Sequence, residues 1–214
     1  MTERTQAIRL DELPRGEVPP DLRAETYFDF AAHPFAHRAL FDRANSVCAA
    51  IRAIHDYATG WLQERFRQAP ASARVADPSA LPGMDGVDGA AALRVVLEEG
   101  AVFRPARVIP AAAPRPRTIY LARDARLIGA DVYLDRGDIF LDEAAAVEPS
   151  AGLRGPLIVG RRAQVRQAAY LRGDCIIGED AVVRGEIKNS VLMGRAEFPH
   201  HSYQGDSLCG YKSH

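Results

Sequence analysis

The side chains with the clearest capacity for chemistry lie near the C-terminus. His200 and His201 stand together in the run Pro199-His-His-Ser-Tyr-Gln-Gly-Asp206, and His200 follows Lys188 by twelve residues. A neutral imidazole accepts a proton near pH 7, since its ordinary pKa is ~6.5, so His200 reads as a candidate general base. Moving an acyl group from a thioester to an amine or hydroxyl needs such a base, together with donors for the oxyanion of the tetrahedral intermediate. The plain alternative for a His-His pair in a polar loop is a solvated turn. Arg161, Arg162, Arg166, Arg172 and Arg184 could form a basic stripe for a phosphorylated ligand, although a solvated surface explains all but Arg172 equally well. Zinc would need His200, His201 and His214 to converge, yet adjacent residues of an extended chain point to opposite sides, so no metal site is expected. Asp85-Gly86-Val87-Asp88-Gly89 lacks the alternating oxygens and terminal Glu of a calcium loop and reads as linker. Cys175 and Cys209 read as core or corner fillers.

These groups need a scaffold, and the composition bounds it. The chain has 214 residues, enough for one or two domains with a real core. Lys+Arg is 27 and Asp+Glu 28, a formal net charge of −1, which disfavours nucleic acid as a partner. With 47% hydrophobic and 26% charged residues the chain is not expected to be disordered. No apolar run approaches the ~20 residues that span a bilayer, so no membrane partner is expected. Three cysteines without a CxxC pair fit a reducing compartment, and the expected localisation is cytoplasmic.

The last hundred residues carry a repeat. From Leu141 in steps of six come Val147, Leu153, Val159, Val165, Leu171, Ile177 and Val183, all aliphatic. Four residues after each lies a mostly small register: Ala145, Ala151, Leu157, Ala163, Ala169, Cys175, Ala181 and Ile187. Leu127, Tyr133 and Ile139 keep the spacing in a shifted phase. A period of six is neither helical nor alternating; it fits a chain that turns a corner every six residues, three flats to a coil of ~18 residues, stacked into a parallel β-helix. The aliphatic residues should point inward, and Gly160, Gly173, Gly178 and Gly185 should sit at corners where positive φ is useful.

The N-terminal half reads differently. Residues 1–34 form a turn-rich arm expected to pack through Tyr27, Phe28 and Phe30. Residues 35–68 read as one long amphipathic helix, with Leu40, Ala44, Val47, Ile51, Ile54, Ala58 and Trp61 at spacings of three and four, Pro34 at its start and Pro70 beyond its end. At 1.5 Å per residue it would be roughly 50 Å long and should lie against another domain or subunit. Residues 69–118 read as a linker with a short helix over 90–99 and a Pro-rich extended stretch over 104–118. Residues 119–214 are the β-helix. The expected fold class is mainly β in the C-terminal half, a left-handed parallel β-helix, preceded by an arm with one long α-helix.

The hexads, with Glu186-Ile-Lys-Asn-Ser190 and Pro199-His-His-Ser-Tyr-Gln-Gly-Asp206, resemble the C-terminal acetyltransferase domain of bifunctional N-acetylglucosamine-1-phosphate uridyltransferases (GlmU-like proteins). The resemblance covers about residues 120–214. The arm Phe28-Asp29-Phe30, with His37-Arg38-Ala39-Leu40-Phe41 and the long helix, looks like a short family of GlmU-like proteins. No Gly-rich nucleotide-binding segment or phosphate loop is present, so nucleotidyl transfer is not expected. The resemblance implies acyl transfer from acetyl-CoA to an amino-sugar phosphate or nucleotide sugar, direct attack with His200 as general base, and a homotrimer with its sites between subunits. It implies Lys188 holding the sugar phosphate as a point charge, Arg172 gripping it too, and Tyr203 donating a hydrogen bond to the sugar. The Arg172-to-Lys188 spacing is two residues shorter than the family's. Asp206 is expected to shape a corner turn. The family's asparagine position falls on His214, so the β-helix is expected to be truncated in mid-coil and the coenzyme A site incomplete. The alternative is a non-catalytic trimerising or regulatory β-helix tied to sugar-nucleotide metabolism.

Overall fold

The computed structural model describes residues 9, 13–81, 93–110 and 115–214. Its C-terminal region is a parallel β-solenoid built from three sheets. Sheet A has eight strands: Arg74–Ala76, Leu93–Leu97, Arg117–Leu121, Ile139–Leu141, Leu157–Val159, Cys175–Ile177, Ser190–Leu192 and Leu208–Cys209. All pairings there are parallel except that of Arg74–Ala76 with Leu93–Leu97. Sheets B and C have six strands each and run from Val102–Arg104 to Glu197–Phe198 and from Arg107–Ile109 to Tyr203–Gly205.

The hexad rule is met in the middle of the solenoid. All eight residues from Leu141 to Val183 point inward and are buried, and so is the small register from Ala145 to Ile187. Leu157 pairs with Cys175, a step of 18 residues. The rule breaks where coil length changes. Ile119 pairs with Ile139, a step of 20, which accounts for the shifted phase before Leu141. In that coil Val132 points inward, whereas Tyr133 lies outside beneath the Arg154 guanidinium, 5.0 Å from its ring centre. Cys175 pairs with Ser190, a step of only 15, and the hexads end there.

The glycines divide in two. Gly173 and Gly185 have φ of 94° and 95°. Gly160 and Gly178 do not need positive φ; they are there for space, since a Cβ on Gly178 would lie 2.6 Å from the backbone of Gly194 in the next coil.

The solenoid begins earlier than the repeat implies. Leu93–Leu97 is a strand, not part of a helix over 90–99, because it pairs in parallel with Arg117–Leu121 and buries Leu93, Val95, Val96 and Leu97. Val102–Arg104 and Arg107–Ile109 complete that coil, and Pro105, Pro110 and Pro116 lie beside its strands. Asp85–Gly89 falls outside the described residues.

The expected single helix is two. α1 spans Ala39–Arg43 and α2 spans Val47–Arg67. Between them Ala44 is extended, and Ser46 caps α2 by accepting a hydrogen bond from the Ala49 N–H at 3.1 Å. Twenty-one residues make α2 about 31 Å long. It lies against this chain's own sheet A. Ala50, Ile54, Ala58, Leu62 and Phe66 of α2 bury against the outward residues Val96, Tyr120, Phe140, Ile158, Ile176 and Val191. Phe66 stacks on Tyr120, Trp61 packs on Phe140 and His55 bonds Asp174, so α2 runs opposite to the order of the coils. Phe28 and Phe30 of the arm gather round Phe41, while Tyr27 stays exposed and donates its hydroxyl to the Asp21 carbonyl at 2.6 Å. No helix among the described residues is long and apolar enough to cross a membrane.

His37 locks the arm to α2. It is 4% exposed, its Nδ1 lies 3.2 Å from the Tyr57 hydroxyl, and its ring packs edge-on against Trp61. Burial pushes its pKa down to about 4. The unfolded chain, with a histidine pKa of ~6.5, therefore takes up the proton first. The neutral-His37 contribution is whole above pH 6.5 and is lost as the pH falls towards 4, at most about 3 kcal/mol. Between pH 7.5 and 5.0 the parent should lose about 2 kcal/mol more than His37→Asn in denaturant titrations. Equal losses would assign the slope to other groups.

Candidate functional site

The C-terminal coils distribute the sequence candidates over one flat and its two bordering corners. Tyr170, Glu186 and Tyr203 share a register position on sheet C. Leu171 pairs with Ile187 and points inward, so the next residues, Arg172 and Lys188, stand side by side on the outer face. The step from Tyr170 to Glu186 is 16 residues rather than 18. The short spacing between Arg172 and Lys188 is thus absorbed by a short coil, and the two cations remain stacked neighbours.

Both are neutralised locally. The Arg172 guanidinium bonds the Glu186 carboxylate, which raises its pKa further above the ordinary value. Lys188 Nζ lies 3.7 Å from Asp206 Oδ2. Asp206 also accepts from Asn189 Nδ2 at 2.6 Å and adopts φ of 50°, the corner-shaping part expected of it. Glu186 and Asn189 were not singled out by the sequence; Glu186 becomes visible once the coil length is known, since it lies one coil from Tyr170. Tyr203 is 60% exposed at the end of its register column.

His200 is not part of this cluster. It lies at the corner between Glu197–Phe198 and Tyr203–Gly205, exposed, on the approach to the flat that carries Lys188 at its far end. Its imidazole has no side-chain partner among the described residues; its carbonyl accepts from Ser202 Oγ at 3.3 Å. The corner forms a cleft of about 420 Å³ lined by Glu197, Phe198, Pro199, His200, Ser202 and His214. The cleft thus joins His200 to His214, which chain spacing alone set apart. His201 is exposed at the same corner. No group of three His, Cys, Asp or Glu side chains able to hold a metal exists among the described residues. Comparison with protein-family models, with curated proteins and with solved structures finds no match to this chain.

Two further features bear on reactivity. Cys175 is fully buried, donates to the Gly173 carbonyl at 3.1 Å, and has its pKa pushed up to about 12 by burial, so it is an inert filler. His55 Nδ1 lies 2.6 Å from Asp174 Oδ1, with Arg136 Nη2 at 3.9 Å from the other oxygen. These groups are 119 residues apart in the chain, and no sequence pattern links them. They pin α2 to the solenoid.

Proposed function

We propose that this chain carries a thioester-dependent acyltransferase function, with an amino-sugar phosphate or nucleotide sugar as acceptor and acetyl-CoA as donor. In this reading the acceptor amine attacks the thioester carbonyl, His200 takes the amine proton, and the thiol leaves without an acyl-enzyme. The observation that supports it is the stacking of Arg172 and Lys188 on one face, with Tyr203 on the next coil and the His200 cleft at the corner before it. Their partners, Glu186 and Asp206, are solvent-accessible, and such ion pairs are worth only about 0–1 kcal/mol, so a phosphate dianion can displace them. Three copies would assemble so that neighbouring subunits complete the acetyl-CoA site.

The test is acetyl-CoA-dependent thiol release over a panel of amino-sugar phosphates and nucleotide sugars, paired with acetyl-CoA calorimetry. Lys188→Gln should raise KM for the phosphorylated acceptor by about tenfold with little change in kcat. Absence of both binding and thiol release would overturn the reading. The self-neutralised Arg172 and Lys188 would then favour the second reading, a non-catalytic assembly or regulatory β-helix. A stable trimer without donor binding is its expected signature.

A further inference from the structure

A second pair of stacked cations lies on sheet B, and nothing in the chain neutralises it. Gln164–Val165 pairs with Val182–Val183, and the ladder continues through the Arg166 N–H to the Val183 carbonyl (2.9 Å) and the Arg184 N–H to the Phe198 carbonyl (2.7 Å). Arg166 and Arg184 are therefore in register on adjacent strands, with backbones roughly 4.8 Å apart. Like charges directly opposite on neighbouring strands destabilise a sheet. On sheet C the same stacking of Arg172 and Lys188 is relieved by Glu186 and Asp206. On sheet B neither arginine has a side-chain partner among the described residues. Glu148, in register with Arg166 one coil earlier, is turned away and accepts from the Gln167 backbone N–H at 2.8 Å. The Nε of Arg184 is buried with no acceptor at all. A buried donor left unpaired carries the full cost of its desolvation, and a native fold seldom leaves one without a reason.

We propose that Arg166 and Arg184 form a binding site for a phosphoryl group. Two planar guanidinium forks at strand spacing present parallel N–H donors, the arrangement suited to bidentate contact with phosphate oxygens, and a dianion there removes both the like-charge repulsion and the unpaired Nε. Arg184 stands opposite Pro199, the residue before His200, so the site borders the His200 cleft from the side away from Lys188. The inference does not rest on the transferase reading, because binding of a phosphoryl group requires no turnover.

The test is calorimetry of the full chain with inorganic pyrophosphate and, separately, inorganic phosphate. Arg166→Gln and Arg184→Gln should each weaken pyrophosphate binding by about tenfold or more. Arg184→Lys keeps the charge but not the fork, and should weaken it by roughly threefold. Arg126→Gln, on the same sheet two coils before Arg166, serves as control and should change it by less than about twofold. Circular dichroism checks each fold, and Arg184→Lys keeps the test alive if a glutamine variant fails to fold. No binding by the parent, unchanged binding by the glutamine variants, or an equal loss in Arg126→Gln would each overturn the proposal, the last by reducing it to a diffuse basic face.

Discussion

Replacing His200 by Asn is expected to lower acetyl transfer by about 10²–10⁴-fold while leaving the fold and its thermal midpoint unchanged. The large kinetic effect follows from the role assigned to the imidazole. An amine attacking a thioester must shed a proton as the tetrahedral intermediate forms, and an amide cannot accept it. The small structural effect follows from the geometry. His200 is exposed at a corner, its side chain bonds to nothing in the described residues, and the hydrogen bond at this corner uses its carbonyl, which Asn retains. His214→Asn is the matching control, because His214 shares the cleft. Turnover that survives in His200→Asn but falls in His214→Asn would move the base to His214. Turnover that survives in both would remove the cleft from the chemistry.

The inward positions were legible because a single constraint governs them: each flat contributes one side chain to a prism too narrow for anything but an aliphatic group. That constraint holds from Leu141 to Val183 and loses its period wherever a coil gains or drops residues. The first coil, from Leu93, escaped notice for this reason, its step to the next being 24 residues, from Leu97 to Leu121. The outward face of sheet A carried a signal of its own. Ile119-Tyr120-Leu121, Ile139-Phe140-Leu141 and Leu157-Ile158-Val159 are apolar at three consecutive positions, whereas flats on the other sheets have polar neighbours around the inward residue. Consecutive apolar residues mean a strand buried on both faces, hence a cover, and α2 is that cover. The break at Ala44–Ser46 was harder to see, since the apolar spacing runs through it and only the Ser46 cap marks the restart. For the candidate site, sequence spacing misled by two residues at Arg172, because it cannot count the length of a coil. The neutralising roles of Glu186 and Asp206 depend on neighbours one coil away.

Phe140→Ala is expected to destabilise the chain by about 3–5 kcal/mol and to loosen α2 before the solenoid. Phe140 is 1% exposed at the centre of the helix–sheet contact. Its ring centre lies 5.3 Å from both Trp61 and Tyr120, and the Arg65 guanidinium sits 5.1 Å above it. Truncation leaves a cavity bordered by rings that rotate little, so collapse recovers only part of the lost contact. At about 2–4 °C per kcal/mol for a chain of this size, the thermal midpoint should fall by roughly 10 °C. Each coil's interior is filled by its own inward residues and those of its neighbours, and Phe140 is not among them. The solenoid backbone should therefore stay protected from hydrogen exchange while the amides of α2 lose protection. Uniform loss of protection across both would show instead that sheet A needs its cover to fold, making α2 part of the solenoid's cooperative unit. The apolar column Tyr120, Phe140, Ile158, Ile176 and Val191 would then be as essential to folding as the hexads within.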